Sequence, residues 1–101
     1  MYAELSAEAD VADHFHNEGV CAAAVGDDRG AAAAFRHALE LDPELSAARL
    51  YLGNALLRLG QTAPATEAYV AFLAVNQRGE AAERVRRILK QIAPGAEEDS
   101  E

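Results

Sequence analysis

The sequence contains no tryptophan and only three phenylalanine and three tyrosine residues, which argues against a thick core such as that between two packed β-sheets. Its single cysteine, Cys21, excludes an intrachain disulfide and a cysteine-based zinc site within one chain. No apolar run approaches the roughly 20 residues of a membrane span, and the N-terminal segment is acidic where a signal peptide would be basic. We therefore expect a cytoplasmic protein that does not insert into membranes.

Alanine makes up much of the apolar half of this 101-residue chain. Because alanine has the highest helix propensity and lets helices approach closely, this composition predicts one small domain of tightly spaced helices. A single lysine, Lys90, beside many alanines and arginines is typical of a GC-rich bacterial source.

Charge is distributed unevenly along the chain, whose formal net charge is −8 at pH 7. Residues 1–45 carry ten acidic residues against two arginines, residues 46–92 carry three acidic residues against seven basic ones, and residues 93–101 carry four acidic residues alone. The acidic total disfavours nucleic-acid binding, which requires clustered cations. Either the asymmetry is an ordinary solvated surface, or the basic part attracts an acidic surface or peptide.

A repeat with a period of 34 residues runs through the chain. Two glycines, an alanine and an aromatic residue recur in the same order: Gly19, Gly26, Ala31 and Phe35 correspond to Gly53, Gly60, Ala65 and Tyr69. We expect Gly26 and Gly60 to end the first helix of each unit. A glycine within a helix, as at Gly19 and Gly53, predicts close approach of the second helix, where the alanines are suitably small partners.

This pattern, with Pro43 near the end of the first unit, resembles the tetratricopeptide repeat (TPR) family, whose period is 34 residues and whose unit is a helix–turn–helix. The resemblance covers residues 6–92, with repeat 1 at about 12–45, repeat 2 at about 46–79 and a capping helix at about 79–92. It implies an all-α fold, namely a right-handed α-solenoid of antiparallel helix pairs with five helices.

Apolar periodicity and capping signals predict helices near residues 6–25, 29–41, 45–59, 63–76 and 79–92, with Asp27 and Asp28 as candidate N-caps of the second helix. Residues 1–5 are expected to fray, and the acidic tail 93–101 is expected to be disordered.

The chain departs from the family pattern at Glu18 and Ala22, which we interpret as features of an uncovered first repeat, and at Gln77, where proline is expected. The apolar stripe of the last helix fits the family only with two residues inserted around 76–79; the stripe comprises Val85, Ile88, Leu89 and Ile92.

No set of residues in the sequence predicts catalysis. Cys21 is interpreted as a small buried apolar residue, and Ser6 and Ser46 as helix caps. Asp10 and His14 share one helix face, but two ligands do not make a closed metal site. We therefore predict no enzyme activity, no metal and no cofactor.

The family resemblance implies a concave groove lined by the first helices of the pairs. The groove residues are expected to be Asp13, His16, Val20, Ala23, Ala47, Leu50, Asn54 and Leu57, edged by Arg86, Arg87 and Lys90 of the last helix. Asn54 is the strongest candidate, because its amide can donate to and accept from a peptide backbone at once, although a merely solvated asparagine is the alternative. Most residues of the family's clamp for chaperone C-termini are replaced here, so that clamp is expected to be absent.

These features predict a protein–protein interaction adaptor or scaffold that binds a peptide or amphipathic helix of another protein, with an acidic ligand favoured by the basic last helix. The alternative is a self-associating assembly module that stacks end to end through its terminal helices, because two repeats are fewer than the roughly three usually needed for stability. Neither nucleic acid nor a membrane is an expected partner.

Overall fold

The computed structural model describes the backbone of residues 2–93 and the side chains of residues 11–93. All regular secondary structure in this part of the chain is helical: α1 (Tyr2–Ala24), α2 (Asp28–Leu41), α3 (Ser46–Arg58), α4 (Thr62–Val75) and α5 (Glu80–Ile92). The predicted all-α fold with five helices is confirmed.

Helices α2 to α5 begin and end within one residue of their predicted bounds, whereas α1 begins at Tyr2 instead of residue 6. Apart from Ala93, the predicted tail 93–101 lies outside the described residues. None of the helices within residues 2–93 combines the length and the apolar character that crossing a bilayer requires.

The first helix of each pair ends in the same way. Gly26 and Gly60 have φ values of 87° and 81°, which L-residues with a Cβ rarely adopt. The N–H of Asp27 donates to the carbonyl of Ala22 at 2.8 Å, and the N–H of Gln61 donates to that of Leu56 at 2.9 Å. These Schellman-type ends confirm both glycines as helix terminators.

The starts of the helices are less regular than their ends. Asp27 caps α2 as predicted, because its carboxylate accepts from the N–H of Gly30 at 3.0 Å. The capping interpretation of Ser46 is wrong: Leu45 precedes α3 without a side-chain cap, and Ser46 is the first helical residue. Ser6 lies inside α1 and not at its start.

The helices pack in chain order, each against the next, with an additional contact between α1 and α3. Among the described residues, eight of the fifteen buried apolar side chains are alanines, which confirms the thin core predicted from composition. The largest fully buried side chains are Tyr69, Phe35, Leu56, Leu89 and Val85. Fully burying a large apolar side chain contributes about 1.5–3 kcal/mol, so a few side chains supply much of the core stabilisation.

An aromatic ring occupies the space beside each mid-helix glycine. A Cβ at Gly19 would lie 2.6 Å from Cε1 of Phe35, and a Cβ at Gly53 would lie 2.7 Å from Cε1 of Tyr69. Glycine is therefore required at these two positions because of the recurring aromatic rings of the second helices. The small alanines that were proposed as partners of the glycines are not the reason.

The last helix turns its predicted apolar stripe toward the core. Val85 and Leu89 are fully buried, and Ile88 and Ile92 are partly buried against the same cluster. The segment before α5 contains Gly79 at φ 104° and ψ 173°, a conformation that favours glycine. This segment lies around residues 76–79, where the family pattern fits only with two inserted residues.

Candidate functional site

A groove of about 340 Å³ lies between α1 and α3. It is lined by Val20, Ala23 and Ala24 of α1, by Phe35 of α2, and by Tyr51, Asn54 and Arg58 of α3. We call it the α1/α3 groove. It lies where α1 and α3 contact each other, beside α2, which packs against both of them. Val20 is 42% exposed and Tyr51 is 40% exposed, so the walls present apolar surface to solvent.

Three of the residues predicted on the first helices line this groove, namely Val20, Ala23 and Asn54. His16 lies beside it, since its ring centroid is 5.5 Å from that of Phe35 and 5.6 Å from that of Tyr51.

The remaining residues predicted on α1 and α3 do not line the groove. Asp13 and Ala47 are exposed but lie outside its lining. Leu50 and Leu57 are half-buried and pack against the hydrophobic core.

The basic residues predicted on α5 are not among the residues that line the α1/α3 groove. Arg86 donates through Nη2 to the carbonyl of Gln77 at 2.6 Å, and Arg87 and Lys90 are exposed. Helix α5 packs against α4, so the edge position predicted for these three residues stays a prediction.

Two separate side-chain hydrogen bonds lie at the polar end of the groove. The hydroxyl of Tyr69 donates to Oδ1 of Asn54 at 2.6 Å, and Nε of Arg58 donates to Oδ1 of Asp28 at 2.9 Å. Burial raises the pKa of Tyr69, while the positive charge of Arg58 opposes this rise. Arg58 on α3 thereby connects the groove to the first turn of α2.

Asn54 differs from the merely solvated asparagine considered as the alternative, and its role toward a peptide stays a prediction. It is not simply solvated, because its Oδ1 satisfies the hydroxyl of a fully buried tyrosine. Its Nδ2 donates to no residue that the structure describes, and it is not among the buried unpaired atoms, so solvent reaches it. The amide therefore has donors for a ligand, while one acceptor site is already engaged.

Comparison of the two repeats explains why Asn54 is present. Residues 34 positions earlier are Val20 for Asn54 and Phe35 for Tyr69, so an apolar pair in repeat 1 is replaced by a hydrogen-bonded pair in repeat 2. A buried tyrosine hydroxyl requires a partner, and Asn54 supplies it. Aligning the repeats and looking for joint replacements would have identified this pair from the sequence.

Ala24, Tyr51 and Arg58 were missed by the sequence prediction, as was the contribution of Phe35 to the wall. Tyr51 precedes Asn54 by three residues, and Arg58 follows it by four. Residues with these spacings lie on one helix face. Extending the face from Asn54 in both directions would have found them.

A second concave surface lies at the N-terminal end of the helix stack. It is lined by His14, Asn17, Glu18, Cys21, Ala22, Gly30 and Ala34. Cys21 is exposed, so its interpretation as a buried residue is wrong. The reason is that the described residues include no helix packed on this side of α1.

Residues on this end face differ in character from their counterparts one repeat later. Nε2 of His14 lies 3.0 Å from Oε2 of Glu18, whereas Ala48 and Leu52, 34 positions on, are buried. This arrangement agrees with the reading of Glu18 as a feature of an uncovered first repeat. No group of three His, Cys, Asp or Glu side chains within residues 11–93 is arranged to hold a metal ion, and the side chain of Asp10 lies outside that range.

No protein-family model matches the sequence, and no curated protein matches it. The structure itself defines a small all-α protein with a repeat-like arrangement of helix pairs and an open groove between its two first helices.

Proposed function

We propose that this chain is a TPR-type binding module that holds a peptide or helical segment of another protein in the α1/α3 groove, and that it has no enzymatic activity. The right-handed stacking of its helix pairs and its action as a cytoplasmic adaptor belong to this proposal. The 34-residue period, with its paired helix ends and paired glycine–aromatic contacts, supports it.

The observation that carries the proposal is the combination of exposed apolar walls with accessible hydrogen-bond donors in one groove. Val20 and Tyr51 expose about two fifths of their surface there, beside Asn54 and Arg58. A volume of about 340 Å³ is at the low end for small-molecule sites, which favours a few side chains of a longer segment as the occupant.

Selection from a displayed library of random peptides tests this proposal. Peptides enriched on the immobilised chain are synthesised, and their affinities are measured by fluorescence anisotropy. We expect Val20→Glu to weaken binding at least tenfold, because it places a charge against the apolar wall. The matched control is Val70→Glu, since Val70 on α4 is 40% exposed, like Val20, but does not line the groove. Peptides that bind both variants as well as the parent chain would refute the groove as the binding site.

The alternative, end-to-end assembly, is disfavoured by the polar residues of the concave surface at the N-terminal end of the helix stack. Apolar stacking there would bury the half-exposed His14 and Glu18. We expect light scattering during size exclusion to give a mass near 10.7 kDa at every concentration. A mass that rises with concentration and falls with salt would support charge-driven stacking instead.

A further inference from the structure

The hydrogen-bonding groups at the polar end of the α1/α3 groove are predominantly donors. Asn54 keeps both N–H groups of Nδ2, while its Oδ1 accepts from Tyr69 at 2.6 Å. Arg58 uses Nε for Asp28, and neither Nη1 nor Nη2 bonds to any residue of the described part of the chain. A ligand group that satisfies these donors must be an acceptor, and a carboxylate matches the planar geometry of a guanidinium best.

The rest of the groove lining selects for an apolar group. Val20, Ala23 and Ala24 form one wall, and the rings of Phe35 and Tyr51 face the same space. These side chains offer no charge, so an apolar ligand side chain gains by burial there. The donors and the apolar walls border one cavity of about 340 Å³, so that neighbouring parts of one segment can reach both.

We propose that the α1/α3 groove selects protein segments in which an aspartate or glutamate side chain lies beside an apolar side chain. The inference deepens the proposed peptide-binding function and rests on it. The apolar side chain occupies the walls between α1 and α3, and the carboxylate accepts from Arg58 Nη and Asn54 Nδ2. The acidic preference therefore resides in the groove and not in the basic residues of α5.

Asp28 moderates this preference. Its carboxylate, 19% exposed, already neutralises the charge of Arg58, which is 51% exposed. The attraction of an acidic ligand therefore depends on short-range hydrogen bonds to the remaining guanidinium N–H groups. Removing the charge of Asp28 leaves Arg58 in place and makes it more available, so this change should strengthen the acidic preference.

The test uses the groove-dependent peptides from the display selection. Each peptide is made with acetylated and amidated ends, so that side chains supply the only carboxylates, and is paired with its glutamine or asparagine counterpart. We expect the acidic member to bind the parent chain about five- to tenfold more tightly, as charge-assisted hydrogen bonds at a half-exposed site allow. Arg58→Gln should bring the ratio close to one, Arg58→Lys should give an intermediate ratio, and Asp28→Asn should increase it.

Two controls locate the preference. Arg49→Gln removes another arginine of α3, one that donates to the carbonyl of Pro43 at 2.7 Å and does not line the groove. The double variant Arg87→Gln with Lys90→Gln removes exposed charge from α5. Both should leave the ratio unchanged, and circular dichroism checks that every variant is folded.

The possible failures are distinguishable. Peptides that lose binding in Val20→Glu but show a ratio of one in the parent chain would overturn this inference and leave the groove function standing. The same holds if the ratio is lost in the α5 double variant and kept in Arg58→Gln, or if the groove-dependent peptides lack acidic residues beside apolar ones. Peptides unaffected by Val20→Glu would overturn the proposed function itself, and this inference with it.

Discussion

Converting the Asn54–Tyr69 pair into its counterpart from the first repeat tests how the groove is tied to the core. The substitutions are Asn54→Val, Tyr69→Phe and both together, which reproduce the Val20 and Phe35 arrangement at the corresponding positions. Tyr69 is fully buried and donates to Asn54 Oδ1 at 2.6 Å. Both single variants therefore remove the same hydrogen bond: Asn54→Val removes its acceptor, and Tyr69→Phe removes its donor.

The two single substitutions should differ in their effect on the free energy of unfolding. Tyr69→Phe leaves a half-buried Asn54 that water can reach from the groove, so a loss of about 0.5–1.5 kcal/mol is expected. Asn54→Val leaves the buried hydroxyl without its partner, which costs about 1–3 kcal/mol. Asparagine and valine have similar helix propensities, so propensity adds little to this difference.

The double variant should be close to the parent chain in stability, because both polar groups are removed together and an apolar pair of the kind already present in repeat 1 replaces them. The resulting coupling energy is expected to be about 1.5–4.5 kcal/mol. It is measured by urea unfolding followed by circular dichroism, provided that all variants have the same dependence of unfolding free energy on urea concentration. Additive losses in the double variant, or an Asn54→Val chain as stable as the parent, would refute the reasoning.

Three further outcomes are expected. Gly53→Ala should lower stability by about 1–3 kcal/mol, despite the better helix propensity of alanine, because its Cβ would lie 2.7 Å from the Tyr69 ring; an increase in the urea midpoint would contradict this. Because burial raises the pKa of Tyr69 above its ordinary value of about 10, the unfolded chain loses that proton first as pH rises. Stability should therefore be constant with respect to this group below pH 10 and fall above it, and Tyr69→Phe should show a smaller alkaline decrease in melting temperature than the parent chain. Cys21 should react with a thiol reagent such as DTNB in the native state, since its side chain is exposed; reaction only after addition of urea would show that the thiol is covered in solution.

The sequence predicted features that depend on local backbone preference and on the repeat. The helix bounds of α2 to α5, the terminating glycines Gly26 and Gly60 and the cap at Asp27 all follow from residues close in the chain. The period of 34 residues then predicted that the same local features recur in both helix pairs. Local chemistry repeated in phase therefore specifies the fold in this case.

The features that the sequence did not predict depend on side chains meeting across helices. That Asn54 accepts from Tyr69, fifteen residues away, requires the distance between α3 and α4. That Cys21 is exposed requires knowing that no described helix covers its side of α1. That Arg87 and Lys90 are absent from the lining of the α1/α3 groove depends on how α5 packs on α4, which periodicity within α5 does not specify.

Phe35 belongs to two surfaces at once. It is 1% exposed, its ring fills the space beside Gly19, and it also forms part of the wall of the α1/α3 groove. A change at this position therefore alters folding and recognition together, and selection for a new ligand is constrained there by the need to keep the helices packed. Val20 and Tyr51 are exposed, so the packing of the helices constrains these two positions less. We therefore expect related chains that share this fold to vary at the exposed groove positions, such as Val20 and Tyr51, and to keep Phe35 unchanged.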